Sequence, residues 1–287
     1  MRSEVPVRAT VAFNRPISAA YMHLGLVTPA FPVTFRAGEF VMIRPPWVGD
    51  PFLPRAFSIY RISGGGGATG SRGEGSPPVI EILYKVLGKG TQHLSRMEPS
   101  QEVEILGPLG NAFAPPDDLT LAVLVAGGIG VPPIAALAAQ MRNAECGMRN
   151  VEVFLGGKTS EDILCVKDFE ETGASVHITT EDGSLGTRGL VTDLLRPFLL
   201  TPHAVRLSAH DEASRLALYA CGPPGMLAAV ARLAEEFAVP CQVSVEANMA
   251  CGFGACMGCA IEVKADVTTY KLVCKDGPLF DSREIKW

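Results

Sequence analysis

The sequence predicts a multidomain β and α/β protein: an antiparallel β-barrel, then a five-stranded parallel sheet with flanking helices, then a small C-terminal domain. Three observations predict it. Short alternating apolar runs broken by Gly and Pro fill the first hundred or so residues, strand-like and helix-like stretches alternate from residue 119, and four cysteines crowd the tail. A length of 287 residues suits two domains with an appendage. The expected boundaries are 1–116, 117–240 and 241–287.

The barrel strands are expected at Val5 to Phe13, Ala20 to Val27, Phe40 to Arg44, Ala56 to Ile62, Val79 to Val86 and Val103 to Leu106. Between two of these, Ser63 to Pro78 (SGGGGATGSRGEGSPP) has almost nothing to bury and reads as a hairpin extension. No helix follows it, so it lacks the N-terminus that a glycine-rich phosphate loop uses.

From residue 119 the strand candidates are Leu119 to Ala126, Val151 to Leu155, Ser175 to Thr180 and Leu216 to Ala220. Helical stretches are expected at Pro133 to Asn143, Glu161 to Glu171, Leu190 to Leu199 and Pro224 to Phe237. Such alternation implies right-handed crossovers and ligands bound outside the carboxyl ends of the strands. Leu119 to Met141 carries no charge and is long enough to cross a bilayer. Gly127, Gly128, Gly130, Pro132 and Pro133 would break such a helix in its middle, so strand, turn and helix is the better reading and no membrane span is expected.

Hydrophobic residues are 47% and charged residues 19%, ample for buried cores and contrary to dominant disorder. A net charge of -5 excludes a global basic field for nucleic acid or anionic lipid, so phosphates must be held locally. The start MRSEVPVRAT has no apolar run of the kind a secretory signal needs, and a cytoplasmic location is expected. There, eight cysteines read better as metal or redox ligands than as disulfides.

Cys251, Cys256, Cys259 and Cys274 carry the most specific signal. Gaps of four, two and fourteen residues give the plant-type [2Fe-2S] spacing, three thiolates from one loop and the fourth from a distant strand. Gly252, Gly254 and Gly258 let the backbone wrap closely and aim N–H groups at the sulfurs. A structural zinc site with four cysteine ligands is the chemical alternative. The segment has only two strand-like runs, Gln242 to Glu246 and Ala260 to Val263, so its small core needs such a staple. Cys146, Cys165 and Cys241 read as buried small apolar residues.

Two glycine turns point to a dinucleotide. AGGIGVPP, with Gly127, Gly128 and Gly130, leaves a buried strand and opens a helix, the context of a pyrophosphate site. YACGPPGM does the same and brings Cys221, Gly222 and Pro223 to the crevice. The second strand ends LGGKTSED with no obvious acid, and Lys158 either meets a 2′-phosphate or is solvated, which leaves NAD and NADP both open. In the barrel, Arg55 supplies a fork for a pyrophosphate, Phe57 can cover a flat ring, and Ser58 offers a hydroxyl to a ring nitrogen. Gly90 and Thr91, at the end of LYKVLGKGT, offer a second phosphate contact.

In order, RAFS, GKGT, GPLGNAF, AGGIGVPP, YACGPPGM and the cysteine loop resemble the ferredoxin reductase superfamily. The tail VEANMACGFGACMGCAIEV with YKLVCKDGPLFD is similar to the electron-transfer subunits of dihydroorotate dehydrogenase type B, and the resemblance covers nearly the whole chain. It implies FAD in the barrel, NAD at the parallel sheet and a [2Fe-2S] cluster in the tail. It further implies FAD contacts from Arg55, Ala56, Phe57, Ser58, Leu83, Tyr84, Lys85, Gly90 and Thr91, and cluster ligation by the four tail cysteines. The family often has Pro where Ala56 stands and Thr where Pro132 stands. A separate FMN-containing catalytic subunit, expected as two copies of each chain in a heterotetramer, would oxidise dihydroorotate in pyrimidine biosynthesis. Electrons would pass through the cluster and FAD to NAD+. Ser58 and Cys221 are the expected catalytic residues, at the flavin ring and beside the nicotinamide. The same architecture serving a sulfite reductase, sulfide dehydrogenase or oxygenase is the alternative, and a non-catalytic zinc-stapled nucleotide-binding module a further one.

Overall fold

The computed structural model describes residues 3–28, 34–44, 53–64, 77–143, 150–202, 204 and 215–287. Most of the glycine-rich segment (65–76) and Cys146 lie outside the described residues.

Seven antiparallel strands form the first sheet: β1 (Ser3–Pro16), β2 (Tyr21–Val27), β3 (Phe40–Arg44), β4 (Arg55–Ser58), β5 (Arg61–Ser63), β6 (Val79–Lys85) and β7 (Glu102–Leu109). Their order is β4-β3-β7-β1-β2-β6-β5, so the two edge strands are neighbours in the chain. The single run expected at Ala56 to Ile62 breaks there. Ile59 N donates to Glu39 O at 3.1 Å and Tyr60 N to Glu81 O at 3.0 Å, which ties both edges together and curls the sheet into the expected barrel. Inward-facing residues such as Val11, Leu24, Leu26, Val41, Ile43, Ile80, Ile82, Val103 and Ile105 fill it, alternating with outward ones as the pleat requires. A short helix, α1 (Lys89–Ser95), covers GKGT, which the sequence reading left without a helix.

The second sheet contains β8 (Leu119–Gly127), β9 (Asn150–Gly157), β10 (Ser175–Thr180), β11 (Thr187–Arg188), β12 (Arg215–Cys221), β13 (Cys241–Ser244) and β16 (Leu279–Asp281), in the order β11-β10-β9-β8-β12-β13-β16. Five parallel strands are those expected, β13 coming from the segment after residue 240. The two-residue β11 extends one edge in parallel, and β16 pairs antiparallel with β13 at the other. The uncharged stretch from Leu119 to Met141 is strand, 3-10 turn and helix α2 (Val131–Asn143). Helices α4 (Val191–Leu199) and α5 (Pro224–Glu236) fall where expected.

The helix expected over Glu161 to Glu171 is shorter. Ser160–Asp162 is a 3-10 turn, and α3 spans Val166–Thr172. Asp162 explains the difference: its Oδ2 accepts from Lys158 N at 3.0 Å and Thr159 N at 3.4 Å, closing a tight turn, and Cys165 then takes a left-handed backbone (φ 61°) that no continuous helix allows.

The tail adds a hairpin, β14 (Ala260–Val263) with β15 (Thr269–Leu272), and a short α6 (Val273–Asp276) before β16. Asn111 of the GPLGNAF motif clips this tail to the barrel. Its Nδ2 donates to Leu279 O at 2.9 Å, its Oδ1 accepts from Leu279 N at 2.9 Å, and its backbone N donates to Gly277 O at 2.7 Å. No helix among the described residues is long and apolar enough to cross a membrane.

Candidate functional site

Chain order reverses between β8 and β12: β9 and β10 lie on one side of β8, β12 and β13 on the other. A crevice opens at such a switch point, outside the carboxyl ends of the strands. It is lined by Gly127, Gly128 and Gly130 after β8, by Gly222 and Pro223 after β12, and by Gly156, Gly157 and Lys158 after β9. Its volume of about 570 Å³ is in the usual range for a small-molecule site. Glycine is needed because the two turns touch. A Cβ on Gly222 would stand 3.0 Å from Gly127 N, and one on Gly130 would stand 2.4 Å from Cys221 O. Bare backbone therefore lines the crevice at these turns, as close approach of a pyrophosphate requires.

Cys221 is placed differently from its neighbours. It sits in register with Ala126 and Ser244 at the end of β12, is 1% exposed, and does not itself line the crevice. Burial, and then the Glu246 carboxylate, push its thiol well above the usual range, so it is a neutral group.

A second cleft lies between the barrel and the sheet. Arg55, Ala56, Phe57 and Ser58 of β4 line it with Leu83, Tyr84 and Lys85 of β6 and Thr91 of α1. Gly90 stands just behind: a Cβ there would come within 2.9 Å of Arg55 Nε, so glycine leaves the guanidinium room beside the helix. Tyr84 is buried and its hydroxyl pairs with Asn14 Oδ1 at 3.1 Å. Thr91 Oγ1 accepts from Leu87 N and Gly88 N, fixing the start of α1.

The two clefts meet. Lys85, Ile129 and Glu246 line both, so a ring at the inner end of the crevice abuts whatever the barrel cleft holds. Lys85 Nζ donates to Asp162 Oδ1 at 2.9 Å, and Tyr21 OH donates to the same oxygen. Against the cost of burial, these donors and Lys158 N hold the Asp162 carboxyl down at about 2. The charged clamp joins β2 and β6 of the barrel to the turn after β9. Sequence reasoning missed Asp162 and Tyr21, whose side chains meet across 141 residues, and also Glu246. Glu246 stands two residues past β13, and burial pushes its carboxyl up.

The wall of the barrel cleft leads directly to the cysteines. Ser244, Val245, Glu246, Ala247 and Met249 all line it, and Cys251 follows two residues later. Gly252 (φ 84°) and Gly254 (φ 90°) make the left-handed turns of the loop. A Cβ on Gly252 would strike Met42 Cγ at 2.5 Å, so the loop presses on the barrel. Cys256 N donates to Cys251 Sγ at 3.4 Å, while Cys274 N donates to Cys259 Sγ at 3.4 Å and the Cys259 and Cys274 sulfurs are 3.2 Å apart. Against burial, the backbone N–H groups of Cys256, Phe253 and Ala255 hold the Cys251 thiol down to about 6. Burial and the neighbouring Cys259 thiol push Cys274 up to about 12, so its thiol keeps its proton unless a coordinated cation displaces it.

Among the described residues no three His, Cys, Asp or Glu side chains are gathered tightly enough for one ion. The thiols stand as two pairs, Cys251 with Cys256 and Cys259 with Cys274. Two thiolates on each of two irons is the donor set of a [2Fe-2S] cluster, whereas zinc would draw all four to one point.

A curled antiparallel sheet beside a switch-point crevice, with paired thiols in the segment that continues the wall of the barrel cleft, defines an NAD-linked flavin and iron–sulfur oxidoreductase of ferredoxin-reductase type. The fold is that of a solved NADH-dependent reduced ferredoxin–NADP oxidoreductase, with a TM-score of 0.77 and 26% identity over 97% of this chain and 90% of that chain. Family models match at residues 124–232, an oxidoreductase NAD-binding domain, and at 246–286, the iron–sulfur cluster binding domain of dihydroorotate dehydrogenase B. The dihydroorotate dehydrogenase B (NAD(+)) electron transfer subunit of Geobacillus kaustophilus is 37% identical, with 97% of each chain covered. That of Desulforamulus reducens is 34% identical, covering 87% of this chain and 86% of the relative. The chain belongs to the family of dihydroorotate dehydrogenase B electron transfer subunits. Its cofactors are FAD, a [2Fe-2S] cluster and NAD.

Proposed function

We propose that this chain passes electrons from the FMN of a dihydroorotate dehydrogenase catalytic subunit to NAD+, in pyrimidine biosynthesis. The observation that carries the reading is the continuity of the Ser244 to Met249 segment, which walls the barrel cleft, borders the dinucleotide crevice through Glu246, and runs into Cys251. Donors and acceptors held along one rigid segment need no large motion to exchange electrons.

Residues 1–116 are assigned to FAD, 117–240 to NAD and 241–287 to the cluster. FAD supplies the exchange between a hydride pair and single electrons. Arg55 holds a pyrophosphate with Gly90 and Thr91, while Ala56, Phe57, Leu83, Tyr84 and Lys85 form the ring's seat. Ser58 gives the ring a hydrogen bond. Gly127, Gly128, Gly130, Gly222 and Pro223 receive the dinucleotide, with Cys221 supporting the wall at its nicotinamide end. Cys251, Cys256, Cys259 and Cys274 hold the cluster.

The catalytic subunit is assigned to the face carrying the exposed Phe253 and Met257, which flank the exposed Cys256 and offer an apolar surface beside the cluster. A heterotetramer with two copies of each chain, in the cytoplasm, completes the reading.

The test is reconstitution. Mixed with a dihydroorotate dehydrogenase type B catalytic subunit, the protein is expected to support NADH formation from dihydroorotate, and light scattering to give the mass of two copies of each chain. A catalytic subunit that dihydroorotate reduces, yet that makes no NADH in this protein's presence, would assign the chain to another redox partner.

A further inference from the structure

One carboxylate joins the barrel to the parallel sheet where the two clefts meet. Asp162 Oδ1 accepts from Lys85 Nζ at 2.9 Å and from Tyr21 OH, both in the barrel. Its Oδ2 accepts from Lys158 N at 3.0 Å and from Thr159 N at 3.4 Å, both in the turn after β9. An ionised carboxylate has about four acceptor sites, so each domain fills one oxygen. The side chain is only 11% exposed, and hydrogen bonds to an ionised group are about twice as strong as neutral ones.

The tie stands against both cofactor clefts. Tyr21, Lys85 and Asp162 all line the dinucleotide crevice, and Lys85, the last residue of β6, lines the barrel cleft as well with Leu83 and Tyr84 of the same strand. Lys85 Nζ lies 4.8 Å from the centre of the Tyr21 ring, and a Cβ on Gly128 would lie 3.7 Å from Tyr21 OH. The phenol thus rests against the first glycine turn while it holds the turn after β9. Burial, and then Asp162, push its hydroxyl up to about 12, so it stays protonated and remains a donor.

A second tie between the same elements lies outside the clefts. Tyr60 OH donates to Asp168 Oδ1 at 2.5 Å, with Arg61 Nη1 3.6 Å from the same oxygen, and neither Tyr60 nor Asp168 lines a cleft. It docks α3 on the edge of the barrel. With α3 held there, the Asp162 tie is left to fix how closely the crevice wall approaches β6.

We infer that Tyr21, Lys85 and Asp162 are positioning residues for hydride exchange: by binding the turn at 157–159 to β6 they set the gap between nicotinamide and flavin, and they take no part in holding the adenosine half. This rests on the dinucleotide and flavin sites assigned above. Hydride exchange needs reacting atoms about 3–3.5 Å apart, and a misplacement of about 1 Å costs on the order of 10²-fold in rate. Two donors share one oxygen, so removing either leaves the other in place, and removing both frees the barrel side of the tie.

The experiment is rapid anaerobic mixing of the flavin- and cluster-loaded protein with NADH, in wild type, Tyr21→Phe, Lys85→Met, the two combined, and Tyr60→Phe, with calorimetric titration of ADP-ribose alongside. The limiting rate of flavin reduction is expected to fall about tenfold in each of the first two variants and about a hundredfold in the pair, with ADP-ribose affinity unchanged. Tyr60→Phe weakens only the outer tie and should keep the wild-type limiting rate. Should Lys85→Met shed its FAD, Tyr21→Phe alone decides, because it removes one oxygen and leaves the ring in place. Unchanged limiting rates in Tyr21→Phe and Lys85→Met overturn the inference and leave the dinucleotide site standing. So does an equal fall in Tyr60→Phe, or a parallel loss of ADP-ribose affinity, either of which marks a general loosening of the interface. A wild type whose flavin NADH does not reduce overturns the site itself, and the inference with it.

Discussion

Replacing Gly130 by alanine tests the join between the two glycine turns. A Cβ at this position stands 2.4 Å from Cys221 O, 2.5 Å from Cys221 C and 2.6 Å from Gly222 N. All three are backbone atoms, which no rotamer change can move away. Ordinary van der Waals contact needs about 1 Å more, so the turns after β8 and β12 must part where Ala126 faces Cys221 in the ladder. Overpacking of this kind costs about 1–3 kcal/mol, and the rigid neighbours place Gly130→Ala near the upper figure. For a sheet domain of this size that lowers the melting temperature by roughly 6–10 °C. Gly225 is the control: it lines the same crevice in the first turn of α5, and nothing lies within 4 Å of its would-be Cβ. Gly225→Ala should leave stability unchanged or raise it by up to about 1 kcal/mol, as alanine favours the helix. Circular dichroism melts give the stabilities, and NADH titration of the bound flavin gives the occupancy of the crevice. A Gly130→Ala protein that melts within about 2 °C of wild type, with unaltered NADH affinity, would refute the reasoning.

Glu81 governs acid stability. It is buried in the barrel with His23 Nε2 at 2.7 Å, Ser63 Oγ at 2.5 Å and Arg61 Nε at 2.8 Å; against burial, these partners hold its carboxyl at about 2. Because the folded value lies below the unfolded one, the stabilisation is present above the ordinary carboxyl range and is lost as pH falls from about 4.5 toward 2. Glu81→Gln should therefore cost about 3 kcal/mol at pH 7 and flatten the acid limb of urea-midpoint against pH; an unchanged limb would remove Glu81 from that role. Ser58→Ala should slow NADH-to-flavin hydride transfer in single-turnover mixing while FAD stays bound, and an unchanged rate would remove Ser58 from the chemistry. Cys274→Ser should lose the visible iron–sulfur absorbance with FAD retained, and unaltered iron content would show that the fourth ligand lies elsewhere.

Both glycine turns were legible in the sequence because close packing at Gly127, Gly130 and Gly222 leaves no room for a side chain. The barrel strands were legible because one pleated face fills the core at every second residue. The cysteine spacing was legible because three of the four cysteines share one loop. What the sequence hid depends on contacts between distant segments. The Ile59–Tyr60 corner breaks an apolar run that looks continuous until Glu39 O and Glu81 O claim its N–H groups. The shortened α3 follows from Asp162, whose partners Tyr21 and Lys85 lie in the barrel. β16 is only three residues long and exists because Asn111 and β13 receive it. Glu181 and Glu246 look like ordinary surface acids until the parallel sheet brings their strand ends to the crevice.

The proposed relay requires two thiol pairs to hold two irons next to a flavin. Chemical assay of the purified protein for iron, sulfide, zinc and flavin tests this most directly. About two irons and two acid-labile sulfides per chain, with one FAD, are expected. A colourless protein carrying one zinc ion and no flavin would contradict the account at its centre.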